Sequence, residues 1–271
     1  MTATFSFNTW NHSARWGLPP TLPDQIAAAA GAGYQYVGLD VPSLLAHEEQ
    51  GLHPEQIRDC LKGSAIGCFE LVPLPISSET TPTEEGLEKV SRLAPVLGAR
   101  QVLAVVQGPV TRGVVTEVRR CTERLAELGI GTSIEFLPSL EVNSIDAVRR
   151  LIDAVEHPQL RIVVDSWHFF AGPDTWATLD AIPAERLGFV QFSDAVPATS
   201  DDVVHQYCHC RVLPGQGIHD LHGFSQRVLR RWPGVVVSVE VLSSWWRSRP
   251  VERFAVETFR ATQGFWRVDK Q

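Results

Sequence analysis

Eight short apolar runs, separated by longer stretches of mixed polarity, restrict the fold of this chain more than any other feature. They fall near 4–8 (TFSFN), 35–40 (QYVGLD), 66–71 (IGCFEL), 101–106 (QVLAVV), 131–136 (GTSIEF), 161–165 (RIVVD), 187–192 (LGFVQF) and 235–240 (VVVSVE). Each has strand length. The intervening segments carry helical periodicity at 22–32, 54–62, 83–97, 114–128, 144–155, 176–181, 221–231 and 250–262. Strand-like and helix-like periods in strict alternation are the mark of repeated βα units with a parallel sheet.

Local signals close several units. Asn143 and Ser144 ahead of Asp146 resemble a helix N-cap with acid in the first turn, while Gly31, Gly33, Gly98 and Gly129 stand where helices should end. Parallel strands can lie in an open sheet, but even spacing of eight favours closure into a (β/α)8 barrel, and 271 residues suit one such barrel. No Pro-, Gly- or Ser-rich linker divides the chain, so residues 1–271 are expected to form a single domain. The stretch 193–218 is the longest without a clear period and reads as an irregular active-site loop.

Composition narrows the function. A net charge of -7 argues against gripping a polyphosphate backbone, so nucleic acid is not the expected partner. The start MTATFSFNTW lacks a basic, then apolar, leader, and no apolar run is long enough to span a bilayer; the expected location is the cytoplasm, away from membrane. Five cysteines without CxxC spacing suggest free thiols. Cys208-His209-Cys210 could suggest zinc, but on an extended segment alternate residues face opposite sides.

The chemistry gathers in the second half. Glu135, Asp165, Gln191 and Glu240 each stand at or near the end of a strand, the edge at which barrel enzymes place their active sites. A carboxylate in an apolar run is costly to bury unless a cation neutralises it. A lone acid there is more often a cap or ion-pair partner; oxygen donors on four successive strands point to a shared cation. The set is hard and all-oxygen, which suits Mn2+ first, with Mg2+ or Co2+ as substitutes. His168, three residues after Asp165, can lean over the same mouth and move a proton. Arg211 in RVLPGQG could fork onto a substrate carboxylate or stand on the surface, and Asp194 is expected to brace the loop. Glu70 and Gln107, read as ending their strands, and Asn8, Trp10 and His12 after the first strand, could line the substrate cavity. Trp10, Trp167 and Phe169 are equally compatible with packing.

The series Glu135, Asp165-x-x-His168, Gln191-x-x-Asp194, Arg211-x-x-PGQG and Glu240 resembles the xylose isomerase-like barrel superfamily. The match covers roughly residues 131–241, the first half agreeing mainly in rhythm. The resemblance implies a metal held by Glu135, Asp165, Gln191 and Glu240. It implies catalytic work by Glu135, His168 and Glu240, and a small polyhydroxy carbonyl substrate contacted by Arg211, Glu70, Gln107 and His12. Gln191, where histidine is commoner, together with LPGQG looks like the bacterial 3-dehydroshikimate dehydratase branch. The implied reaction removes a proton next to a metal-bound carbonyl. Loss of a β-hydroxyl then gives a dehydratase, and reprotonation gives an epimerase or isomerase, with inosose dehydratases and ketose 3-epimerases as competitors. An endonuclease-IV-like DNA repair role would need a histidine-rich zinc cluster that the sequence does not offer. A non-catalytic barrel subunit of a larger complex is the remaining alternative, and isolated barrels of this kind often form homodimers.

Overall fold

The computed structural model describes residues 3–267. Its strands are β1 (Thr4–Asn8), β2 (Tyr36–Asp40), β3 (Gly67–Ile76), β4 (Gln101–Val106), β5 (Gly131–Glu135), β6 (Leu160–Asp165), β7 (Leu187–Phe192), β8 (Asp194–Ala195), β9 (Arg211–Val212) and β10 (Val236–Val239). Eight of them close a barrel in the order β1-β10-β7-β6-β5-β4-β3-β2, and β8 and β9 form a separate two-stranded pair. Every barrel pairing is parallel, and the ring is sealed where Phe5 registers with Val237 and Phe7 with Val239.

The helices are α1 (Leu22–Ala32), α2 (Val41–Glu49), α3 (Pro54–Gly63), α4 (Thr80–Leu97), α5 (Arg112–Glu127), α6 (Ile145–Val155), α7 (Ser166–Ala171), α8 (Trp176–Asp180), α9 (Val203–His209), α10 (Leu221–Arg231), α11 (Ser244–Arg247) and α12 (Val251–Gln263). In α6 the buried side chains Ile145, Val148, Leu151, Ile152 and Val155 repeat every three or four residues, which makes one apolar stripe. Ser144 caps it by accepting the Ala147 N–H. Gly33 and Gly98 end α1 and α4 at φ 102° and 70°, a conformation that a Cβ disfavours. Gly31 lies inside α1 and ends nothing.

The bore of the barrel is filled. Phe69 of β3 meets Phe189 of β7 at 5.4 Å between ring centroids, and these strands are not neighbours, so the contact crosses the interior. Val72, Leu103 and Val163 complete this cluster, while the larger core lies between strands and helices.

Four short helices were not foreseen, for identifiable reasons. α2 and α7 begin on the residue after their strands, with Asp40 and Asp165 acting as both strand end and N-cap, so no loop separates the two periods. α11 is a single turn. α9 lies within the stretch expected to be irregular, which therefore consists of β8, a helix and β9. Cys208 and His209 sit in the last turn of α9 and not on an extended segment. β3 runs on to Ile76, which places Glu70 in mid-strand and corrects its expected position at a strand end.

Candidate active site at the barrel mouth

Glu135 and Asp165 are the last residues of β5 and β6, Gln191 is register-paired with Asp165, and Glu240 follows β10, its N–H donating to the Phe192 carbonyl. All four side chains are buried. Asp165 divides its carboxylate between two tasks. Oδ1 accepts the N–H of Trp167 at 2.6 Å and of His168 at 3.4 Å, starting α7, while Oδ2 turns toward the mouth. That single turn puts His168 above the carboxylates, with Nε2 3.6 Å from Glu135 Oε1 and 3.8 Å from Asp165 Oδ2. Among the described residues, Glu135, Asp165 and His168 form the one His, Cys, Asp and Glu group compact enough to hold a metal ion.

Arg211 reaches into the same place. Its Nη1 lies 2.7 Å from Asp165 Oδ2 and 3.4 Å from Glu240 Oε2, its Nε donates to the Tyr207 carbonyl, and its Nη2 lies 3.4 Å from His168 Nε2. It is 1% exposed, so the surface alternative is excluded. The guanidinium takes one oxygen from each of two carboxylates. Among the described residues no hydrogen bond reaches the Glu135 carboxylate, and Gln191 Oε1 is buried without a partner. Gln191 Nε2 donates to Glu240 Oε1 at 2.8 Å, and Asn8 Nδ2 donates to that same oxygen at 3.1 Å.

The electrostatics follow from crowding. Burial, joined by the charge on Asp165, pushes Glu135 up to about 8 against the pull of Arg211. Burial likewise raises Glu240 well above the carboxylate range. Burial would raise Asp165 too, but Arg211 and His168 outweigh it, and this carboxyl stays below its ordinary value. Burial holds His168 neutral, down to about 3.

The loop motif has a mechanical explanation. Asp194 Oδ2 accepts the N–H groups of Gly215 and Gly217, both at 3.0 Å, and Oδ1 accepts those of Ala195 and His219. A Cβ on Gly217 would fall 2.2 Å from the Ala195 carbonyl oxygen, so PGQG wraps the carboxylate where a larger residue has no room. β8 pairs with β9 through Ala195 and Arg211, which fixes the arginine's backbone.

The remaining candidates scatter. Glu70 is wholly buried in the bore, its oxygens taken by Ser6 and Ser238, and is not at the mouth. Gln107 follows β4 and is exposed. His12 is buried with its ring 4.8 Å from Phe254, and burial lowers it to about 4. Phe169 packs among Phe170, Trp176 and Phe224, and Trp10 against Trp16. Trp167 stacks beneath Arg211. Tyr207, in the unforeseen α9, lies 5.2 Å from the His168 ring and shares a hydrogen bond with Ser139. No sequence signal marked it, because its place depends on how α9 folds back.

The chain belongs to the xylose isomerase-like TIM barrel family, whose model matches residues 26–262. It is 27% identical over 255 residues to a 3-dehydroshikimate dehydratase of Pseudomonas putida, a match that spans 90% of this chain and 40% of that protein. A xylose isomerase-like TIM barrel/4-hydroxyphenylpyruvate dioxygenase fusion protein superposes with a TM-score of 0.80 at 24% identity, over 96% of this chain and 42% of the fusion. The IOLI protein with a bound zinc atom superposes with a TM-score of 0.83 at 16% identity over 98% of each chain. These superpositions speak for the shared fold. No helix of the described residues is long and apolar enough to cross a membrane.

Proposed function

We propose that this chain is a divalent-metal-dependent lyase of the 3-dehydroshikimate dehydratase type, acting on a cyclic polyhydroxy ketone. One observation carries the reading: three buried carboxylates face a single guanidinium, which leaves two negative charges uncompensated when all three ionise. A divalent cation balances that deficit, and the unpartnered Gln191 Oε1 supplies a fourth oxygen beside Glu135, Asp165 and Glu240. The donors fit Mn2+, with Mg2+ or Co2+ also suited to an oxygen set. Arg211 contacts oxygens of Asp165 and Glu240 from one side; it neutralises part of the cluster and leaves room in the charge count for the ion.

When bound, the cation supplies Lewis-acid polarisation of a substrate carbonyl. His168, neutral and buried against Glu135 and Asp165, accepts the proton released from the adjacent carbon. The same proton then leaves with the departing hydroxyl as water, so the balance closes on the loss of one water. Nη2 of Arg211 keeps donor capacity toward the His168 side and orients a substrate oxygen there. Trp167 and Tyr207 shield this corner from solvent.

The test is a substrate panel run with Mn2+ and with chelator. Appearance of protocatechuate absorbance from 3-dehydroshikimate, abolished by chelator, supports the proposal. Turnover of an inosose or ketose in its place shifts the assignment to an inosose dehydratase or epimerase. No turnover and no stoichiometric metal would point to a non-catalytic barrel subunit. The chain spans 40% of the length of the curated relatives it matches.

A further inference from the structure

We infer that Asn8 and Asn11, in the turn after β1, form a positioning device that decides which oxygens of Glu240 and Gln191 are turned toward the cation. The inference rests on the metal-dependent reading above. Its starting point is a backbone group that cannot be reversed: the Trp10 N–H donates to Asn8 Oδ1 at 2.9 Å. With Oδ1 occupied as acceptor, the amide of Asn8 must present Nδ2 on its other side, where it meets Glu240 Oε1. That oxygen also accepts from Gln191 Nε2. The polarity therefore passes along a chain, from the Trp10 N–H to Asn8, to Glu240, to Gln191. Oε2 of Glu240 and Oε1 of Gln191 are left facing the cluster, the latter buried and unpartnered.

Asn11 supplies the mechanical half. Its two amide hydrogens go to the carbonyls of Asn8, at 2.6 Å, and of Val239, at 2.9 Å. One side chain thus ties the end of β1 to the residue just before Glu240. Asn8 and Asn11 are both buried, at 0% and 1% exposure, so water does not replace these bonds.

Asn8→Ser separates positioning from folding. Serine is a good N-cap and still accepts the Trp10 N–H, but it is too short to reach Glu240. Mn2+ affinity, read from the free-ion electron paramagnetic resonance signal, should fall by about tenfold or more in Asn8→Ser, within the range typical of residues that orient ligands. The metal-free variant should stay folded and melt only a few degrees lower, as the loss of one buried hydrogen bond entails, so the tenfold effect on Mn2+ is not one of unfolding. Asn11→Ala should weaken Mn2+ binding to a smaller extent, because the amide of Asn8 remains. Wild-type Mn2+ affinity in Asn8→Ser, with Glu240→Gln impaired alongside, would overturn the device and leave the metal reading standing. Absence of Mn2+ binding by the wild-type protein would overturn both.

Discussion

Two halves of the barrel bury carboxylates in opposite ways. In the first, Asp40 accepts from Thr9 Oγ1, Ser13 Oγ and the Ser43 N–H, and Glu70 accepts from Ser6 and Ser238. Hydroxyl and amide donors surround each acid, which is thereby finished as structure. In the second, Glu135 and Asp165 draw together with His168, and a single guanidinium, that of Arg211, links Asp165 to Glu240. Burial is equal in the two halves, so burial does not separate a structural acid from a working one. Convergence does: Asp165 and Glu240 also accept amide donors, but they share one guanidinium beside Glu135, which accepts no hydrogen bond among the described residues.

The strongest way to break this comparison is to neutralise one acid of the second half. Glu240→Gln should lower kcat/KM by about a thousandfold or more, or about 4 kcal/mol of transition-state stabilisation, while the folded protein persists. A loss of less than tenfold, measured at saturating Mn2+, would make Glu240 as structural as Asp40.

The matching change in the first half is Glu70→Gln, which should act on stability and follow pH. Burial raises Glu70 to about 7 despite its serine partners, against 4.5 ordinarily. Between these values the native state holds a proton that the unfolded chain has released. The resulting stabilisation is complete below about 4.5 and gone once pH has passed about 7. The glutamine variant, having no charge to bury, should therefore match wild type near pH 4.5 and exceed it by about 3 kcal/mol at pH 8. Urea melts at the two pH values measure this, and parallel curves would refute it.

A third change sharpens the role of the loop. Asp194→Ala removes the acceptor of four backbone N–H groups and should cost about 2 kcal/mol, with a fall in activity because Arg211 loses its brace. Thermal melts and kinetics on the same preparation separate the two effects. The smallest effect belongs to the outer surface: Arg92→Gln breaks the half-exposed pair with Glu48 and should change stability by less than about 1 kcal/mol.

Much of this was legible in the sequence. The barrel followed from the alternation of periods, and α1 and α10 have the bounds that their apolar spacing indicated. Glu135, Asp165, Gln191 and Glu240 could be grouped because strand ends converge in a closed barrel whatever the loops do. Three features resisted for physical reasons. Glu70 looked like a strand end because Pro73 and Pro75 hide the continuation of β3, although proline is tolerated within it. The helices α2 and α7 share their first cap with the preceding strand, so periodicity alone has no break to find. Asn8 could be read only as cavity lining and Asn11 carried no signal, because their partners at the end of β10 lie 232 and 228 residues away along the chain.

The clasp formed by β8 and β9 has a bearing on how such a protein can change. Residues 196–210 leave the barrel and return through strands paired to each other, with Asp194 locking the join. A stretch whose two ends are stapled together can be lengthened, shortened or exchanged with little entropic penalty, provided Tyr207, whose carbonyl holds Arg211 Nε, is kept. The segment is in effect a removable cassette above a fixed reaction centre, and new substrate preferences can be written there while the cation-binding floor is left alone.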